Sequence, residues 1–401
     1  MNLFIIPTWY PNERDPVAGV FTREQAEAIA QLAPEVRVLV SAWGYDAGAL
    51  SLREPSAALA ALAWRLRRLG RRTRSHNCVT EIGRPALTWS GRLPFGGTRQ
   101  LLAIHRRNLR LALRDHGWID LLHAHVSYPA GYVASILSRE FGMPYVLTEH
   151  MSPFPFERLM RDGRPIPEID RAFAGAAATV AVSPSLAQRI ASFGYSLPRV
   201  IPNLVDERRF VPARPAGGKF AFLTLCGITE QKGVDHLLQA IAAWDPPAES
   251  FEFRIAGDGP LRSRYQALAA QLGVDDRVRW LGAVSPELVP GLFAQSHAFV
   301  MTSRHETFGV VYAEALACGL PVVATRSGGP DSIVNDRNGL LVEVGDVEAI
   351  AQALQQVAGD RSSYDAAVIR EDFMQRFSRG AVVRQLLSLY RSVLDSGPTA
   401  A

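Results

Sequence analysis

The sequence predicts an α/β protein made of two doubly wound units, and three observations carry that prediction. Short apolar runs of strand length alternate with amphipathic helical patterns along the whole chain, as expected of parallel sheets flanked by helices. The 401 residues suffice for two or three domains, each with its own core. A Pro- and Gly-rich stretch, PARPAGGK over residues 212–219, lies near the middle and reads as a linker, dividing the chain into residues 1–211 and 212–379 with a last helix over 380–401.

Residues 2–6 read as a buried parallel strand and residues 7–19 as a long loop before a helix over 20–32. A strand, a loop containing Gly19 and a helix form the phosphate-approach geometry of doubly wound sheets, although Gly19 stands alone in its loop. The same loop holds Trp9, Tyr10 and Pro11. Residues 36–41 form a second strand. The stretch 56–74 then carries Leu59, Leu62, Leu66 and Leu69 on one helical face, with Arg65, Arg67, Arg68, Arg71, Arg72 and Arg74 around it. Such a basic amphipathic helix, with Trp64 at the interface, fits an anionic membrane surface as partner. It equally fits an ordinary surface helix in a chain that carries only two lysines.

A basic helix over 99–114 precedes a strand over 119–124, which delivers His123 and His125 at its carboxyl end. A helix after Pro129 leads to a strand over 145–148 that ends in Glu149 and His150. Two of these histidines are one residue apart on a strand and no Cys or acidic triad joins them, so no metal site is expected. Ser183 is placed to cap the helix that follows the strand over 179–182.

The second half opens with a strand over 220–225, then a loop, then Lys232 and Gly233 before a helix from Val234. A cation just ahead of a helix N-terminus is placed to meet a phosphate. A strand over 251–256 ends in the tight turn Gly257-Asp258-Gly259-Pro260, and one over 278–281 ends in Gly282 to Val284. The strand over 298–302 runs into a polar turn, and a helix is expected from about Phe308, with Val311, Ala315 and Cys318 at helical spacing. The amides of Thr307, Phe308 and Gly309 then lie at a helix N-terminus, where an anion such as a diphosphate is the natural guest. Glu306 lies before that helix and Glu314 about two turns inside it, each able to accept hydrogen bonds from hydroxyls. Acidic residues are also common in first turns without any such role.

Charge is unevenly spread. Residues 1–200 hold 24 Arg and no Lys against 16 Asp plus Glu, and the remainder 19 basic against 23 acidic, within an overall formal charge of +4. The basic first half suggests an anionic partner, for which a membrane surface or a lipid diphosphate fits at least as well as nucleic acid. Cys78, Cys226 and Cys318 are far apart and read as reduced thiols of a cytosolic protein. The opening MNLFIIPTWYP lacks the basic region of a signal peptide, and no apolar run reaches the 18 or so residues that span a bilayer. The expected location is cytoplasmic, with any membrane contact peripheral on the inner face.

The run Glu306, seven residues, Glu314, followed by Ala315, Gly319, Pro321, Val322, Val323 and Gly328-Gly329, closely resembles the retaining nucleotide-sugar glycosyltransferases of family 4. Their fold is GT-B, two Rossmann-like doubly wound domains facing a central cleft. The resemblance implies that Glu306 contacts the donor hexose, Glu314 the ribose, and the Thr307 to Gly309 amides with Lys232 the diphosphate. It places Gly257 and Val284 on the donor side and His150 against the transferred sugar near its reacting carbon. Trp9, Gly19 and His125 fall on the acceptor side, and the last helix crosses back to the first domain. Family members usually carry an Arg near Gly227, and neither Gly227 nor Ile228 supplies one here. The implied reaction moves a sugar from a nucleoside-diphosphate sugar to an acceptor hydroxyl, with no cofactor and no metal. The acceptor class favoured is a lipid-linked or growing cell-surface glycan. A small soluble acceptor, or a nucleotide-sugar epimerase of the same fold, is the alternative.

Overall fold

The structure is a computed structural model. It describes residues 1–12, 15–42, 49–50, 56, 59, 63, 72–83, 88–89, 97–213, 215, 217–360 and 363–396. The chain divides into two compact units. One holds Met1–Val182, Ala187–Ile201 and the chain from Val383 onward; the other holds Ser183–Leu186 and Pro202–Val382.

In the first unit, β1 (Asn2–Pro7), β2 (Arg37–Ala42), β3 (Arg72–His76), β4 (Val79–Gly83), β5 (Leu121–His125), β6 (Tyr145–Glu149), β7 (Ala178–Ala181) and β8 (Arg199–Val200) form one sheet. Their order is β8-β7-β6-β5-β1-β2-β4-β3, and every pairing is parallel except that of β3 with β4. Strands such as β5 and β6 are buried along their whole length because helices cover parallel sheets on both faces. Those helices are α1 (Val20–Leu32), α2 (Thr98–His116), α3 (Tyr132–Phe141), α4 (Pro167–Ala174) and α5 (Pro184–Ala191), which starts in the second unit. Ser183 caps α5 by accepting from the Leu186 amide at 3.2 Å.

Arg72 and Arg74 do not continue a helix from the leucine-rich stretch; they belong to β3. Asn77 and Cys78 both adopt left-handed φ, 46° and 67°, and form the two-residue turn of a hairpin that sets Arg74 opposite Glu81. Trp64, Arg65, Arg67, Arg68 and Arg71, which carried the membrane-surface expectation, lie outside the described residues.

The second unit has a six-stranded, wholly parallel sheet. Its strands are β9 (Phe220–Leu225), β10 (Phe251–Ala256), β11 (Val278–Gly282), β12 (Ala298–Met301), β13 (Val322–Thr325) and β14 (Gly339–Val342), in the order β11-β10-β9-β12-β13-β14. One helical layer is made by α6 (Val234–Trp244) and α10 (Val347–Gly359), which pack on each other. Leu237, Leu238, Ile241, Ile350 and Leu354 meet Phe222, Phe253, Val300 and Val323 in one core. Each such side chain contributes about 1.5–3 kcal/mol by leaving water. The remaining helices of this unit are α7 (Arg262–Gln271), α8 (Val289–Ala294), α9 (Val310–Ala317) and α11 (Ala366–Arg376); α12 (Arg379–Asp395) starts here and ends in the first unit.

Strand order locates the sites. The chain builds outward from β9 to β11 and then returns to lay β12 on the other side of β9, so the connections diverge between β9 and β12. In the first unit they diverge between β1 and β5. Ligands of open parallel sheets bind beyond the carboxyl ends of strands at such points. Lys232 follows β9, Glu306 follows β12, the Trp9–Gly19 loop follows β1, and His125 closes β5.

Candidate active site

The loop from Thr302 to Gly309 is held on both sides by backbone bonds. The Arg304 amide donates to the Gln231 carbonyl at 2.7 Å, and the Glu306 amide to the Ser327 carbonyl at 2.8 Å. The Gly329 amide returns a bond to the Glu306 carbonyl at 2.8 Å. Side chains brace the same loop: Thr302 Oγ1 donates to the Gly233 carbonyl at 2.7 Å, and the Arg304 guanidinium grips both Asp235 oxygens at 2.9 and 2.6 Å. Such two-point ionic bonding fixes geometry as well as adding energy.

Glu306 is thereby set rigidly, with its side chain 6% exposed. Lys232 Nζ donates to Oε1 at 2.6 Å and Ser303 Oγ donates to the same oxygen at 2.9 Å. Both donors use Oε1, so the carboxylate is oriented as well as neutralised.

The helix beyond this loop starts later than its sequence suggests. α9 begins at Val310, with Gly309 as its N-cap at φ 84°, so Thr307 and Phe308 belong to the loop. A Cβ on Gly309 would lie 2.4 Å from the Tyr312 ring, which restricts the position to glycine. The amides at the start of the helix are therefore those of Gly309, Val310 and Val311, not those of Thr307 and Phe308. Phe308 is buried edge-on against Phe377, and the Thr307 carbonyl accepts from Ser183 Oγ at 2.5 Å. Glu314 is the fifth residue of α9, little more than one turn in, and half-buried.

Gly257 and Val284 follow β10 and β11 at the same edge of the sheet, where the Gly257 amide donates to the Gly282 carbonyl at 2.7 Å. Ile228, beside Gly227 where the resemblance raised the expectation of an arginine, is fully buried in the core of this unit. A guanidinium at this end is that of Arg262, 3.6 Å from Asp258.

In the first unit the sequence-predicted histidines come together in one buried cluster. His125 Nδ1 and His150 Nε2 are 3.0 Å apart, Phe21 stacks on His150 with centroids 4.4 Å apart, and His123 lies against His125 at 4.2 Å. His123 bonds Thr148 Oγ1 through Nε2 and Tyr390 Oη of α12 through Nδ1, both at 2.8 Å. Burial is the main cause that pulls His123 and His150 down to about 3 and lowers His125 as well, so all three are neutral at neutral pH. His125 is 1% exposed and lies beneath His150. Gly19 opens α1 against the Trp9 carbonyl, and Trp9 packs edge-on to Phe156.

Sequence reasoning assigned no task to Glu149. Its carboxylate accepts from the Ser127 amide at 3.0 Å, the His150 amide at 2.7 Å and the Met151 amide at 2.9 Å, tying the ends of β5 and β6 together behind His150. Burial raises its pKa, and those bonds partly oppose the rise. Its place at the end of a buried strand was the available signal. Glu149→Gln presents an N–H to an amide donor, and the expected outcome is a loss of about 1–3 kcal/mol in urea unfolding. An unchanged midpoint would show that the three bonds do not hold the backbone of His150.

Comparison with known proteins bears on this arrangement. A family model described as Glycosyltransferase Family 4 matches residues 18–209, and one described as Glycosyl transferases group 1 matches residues 206–371. The D-inositol 3-phosphate glycosyltransferase of Saccharomonospora viridis is 30% identical over 317 residues, which are 71% of this chain and 72% of that protein.

The chain belongs to glycosyltransferase family 4.

This family 4 chain is also 34% identical to the lipopolysaccharide core biosynthesis glycosyltransferase LpsE of Rhizobium meliloti, over 52% of its own length and 63% of that protein's. Its fold is GT-B. The crystal structure of Anabaena HepE in complex with UDP superposes on 98% of the chain and 100% of HepE, with a TM-score of 0.70 at 21% identity. The sucrose-phosphate synthase of Thermosynechococcus elongatus covers 99% of the chain and all of that protein, with a TM-score of 0.72 at 20% identity. Among the described residues of this family 4 chain, no group of His, Cys, Asp and Glu side chains has the arrangement of a metal site, and no helix is long and apolar enough to cross a membrane.

Proposed function

We propose that this glycosyltransferase moves a sugar from a nucleoside-diphosphate sugar to an acceptor hydroxyl with retention of configuration. The observation that carries the proposal is the oriented Glu306–Lys232 pair beside the start of α9, at the point where the connections of the second sheet diverge. In this reading the diphosphate lies on the α9 amides and Lys232, which stabilise the leaving charge without a metal. Glu306 binds the hexose, Glu314 the ribose, and the loops at Gly257 and Val284 border the nucleobase. His150 meets the transferred sugar near its reacting carbon, with Trp9, Gly19 and His125 toward the acceptor.

A UDP-sugar is the proposed donor, supported by the HepE structures with UDP and with UDP-glucose. A lipid-linked or growing cell-surface glycan is the proposed acceptor class. It is supported by the basic first half of the chain and by relatives named for lipopolysaccharide core and phosphatidylinositol mannoside synthesis.

The test is a thermal-shift screen of UDP-, GDP- and ADP-sugars, followed by transfer assays with and without chelator. The expected outcome is stabilisation by one nucleotide class, with turnover that persists in chelator. No shift with any donor would end the reading, and turnover lost in chelator would end its metal-free part.

A further inference from the structure

We propose that His125 sets the tautomer of His150, so that the two imidazoles work as one unit in sugar transfer; this rests on the reading of His150 as the group that meets the sugar. A neutral imidazole has one N–H and one lone pair in its ring plane. With His125 Nδ1 and His150 Nε2 only 3.0 Å apart, one of these atoms donates and the other accepts.

Two arrangements satisfy that bond. If His150 Nε2–H donates, His150 Nδ1 is a lone pair and His125 carries its proton on Nε2. If His125 Nδ1–H donates, His150 carries its proton on Nδ1 and His125 Nε2 is a lone pair. In both, the two rings share one tautomer, and their outward atoms are one donor and one acceptor.

Those outward atoms, His150 Nδ1 and His125 Nε2, are buried and meet no hydrogen-bond partner among the described residues. His123 does not compete for them, because Thr148 and Tyr390 occupy both of its nitrogens. Phe21 covers a face of His150. His150 therefore addresses a substrate through Nδ1 alone, and whether Nδ1 accepts or donates is tied to the proton position on His125. His125 is a positioning residue on this account: it acts on the reaction through His150.

The experiment uses the full chain labelled with 15N-histidine, at neutral pH and without substrate. Long-range proton–nitrogen correlations distinguish Nδ1–H from Nε2–H. In the wild type, His125 and His150 are expected to show the same neutral tautomer. In His125→Leu, His150 is expected to become a mixture, with kcat lowered about tenfold and the donor KM nearly unchanged. His125→Asn keeps an amide where Nδ1 was and should recover part of that loss.

Opposite tautomers in the wild type, or a His150 pattern unaltered in His125→Leu, would overturn the proposal. If the leucine variant does not fold, the wild-type pattern still decides. The labelling needs no substrate, so its failure counts against the pairing alone. Full turnover in His150→Ala would instead remove the reading of His150 beneath it.

Discussion

Glu306→Gln is expected to lower sugar transfer a hundredfold or more while the protein stays folded, by a rough analogy with the loss of one transition-state contact. The reason is chemical: an ionised acceptor for sugar hydroxyls becomes a neutral amide. A second outcome separates this role from a structural one. Lys232 Nζ lies 2.6 Å from the Glu306 carboxylate, so a diphosphate must share that cation with the acid. Without the negative charge, Lys232 is released, and affinity for the nucleoside diphosphate lacking sugar should rise about two- to fivefold, the worth of a partly exposed ion pair. Affinity for the complete nucleotide-sugar should fall. Calorimetric titration of the variant with both ligands checks the two directions. If both affinities fell together, Glu306 would be holding the loop in place instead of gripping the sugar.

The second large effect is expected at Gly233, which ends the turn carrying Lys232. Its φ is 62°, and a Cβ there would lie 2.0 Å from the Thr302 carbonyl oxygen, backbone that cannot swing aside. Gly233→Ala should therefore cost about 3 kcal/mol or more, combining backbone strain with a forced shift. In thermal unfolding that corresponds to a fall in Tm of about 6–12 °C for a unit of this size. Gly273 supplies the control, since it has φ 68° with nothing within 4 Å of an added Cβ. Gly273→Ala should cost only the left-handed penalty, about 1–2 kcal/mol. Equal losses at the two positions would show that the Thr302 contact is not the constraint.

What could be read from the chain in advance follows the range of the forces involved. The helix over 20–32 was legible because its apolar spacing is local, and it spans Val20–Leu32. The start of α9 was legible only to within two residues. The turn before it is held extended by the bridge between Glu306 and Gly328, more than twenty positions away. β3 was hidden because the arginine-rich pattern runs into it and because Cys78 is an unusual residue for the hairpin turn it shares with Asn77.

At the site, Glu306, Lys232 and His150 stood out by residue type and by their place after strands. Their supports did not. The amide of Ser127 reaches Glu149 across 22 residues and Tyr390 reaches His123 across 267, and no local pattern encodes either contact. Ile228 shows the converse. Its apolar character fits the buried place in the core that it occupies.

The order of the first sheet has a consequence for how copies of this chain behave in a crowded solution. Every extended edge invites another molecule to add a strand, and an open sheet has two such edges. At one, β8 is only two residues long, too short to template a partner. At the other, β3 reads Arg-Thr-Arg-Ser-His, with Arg74 exposed, so a second copy arriving there would bring arginine against arginine. The hairpin that takes up Arg72 and Arg74 thus also guards the sheet against aggregation.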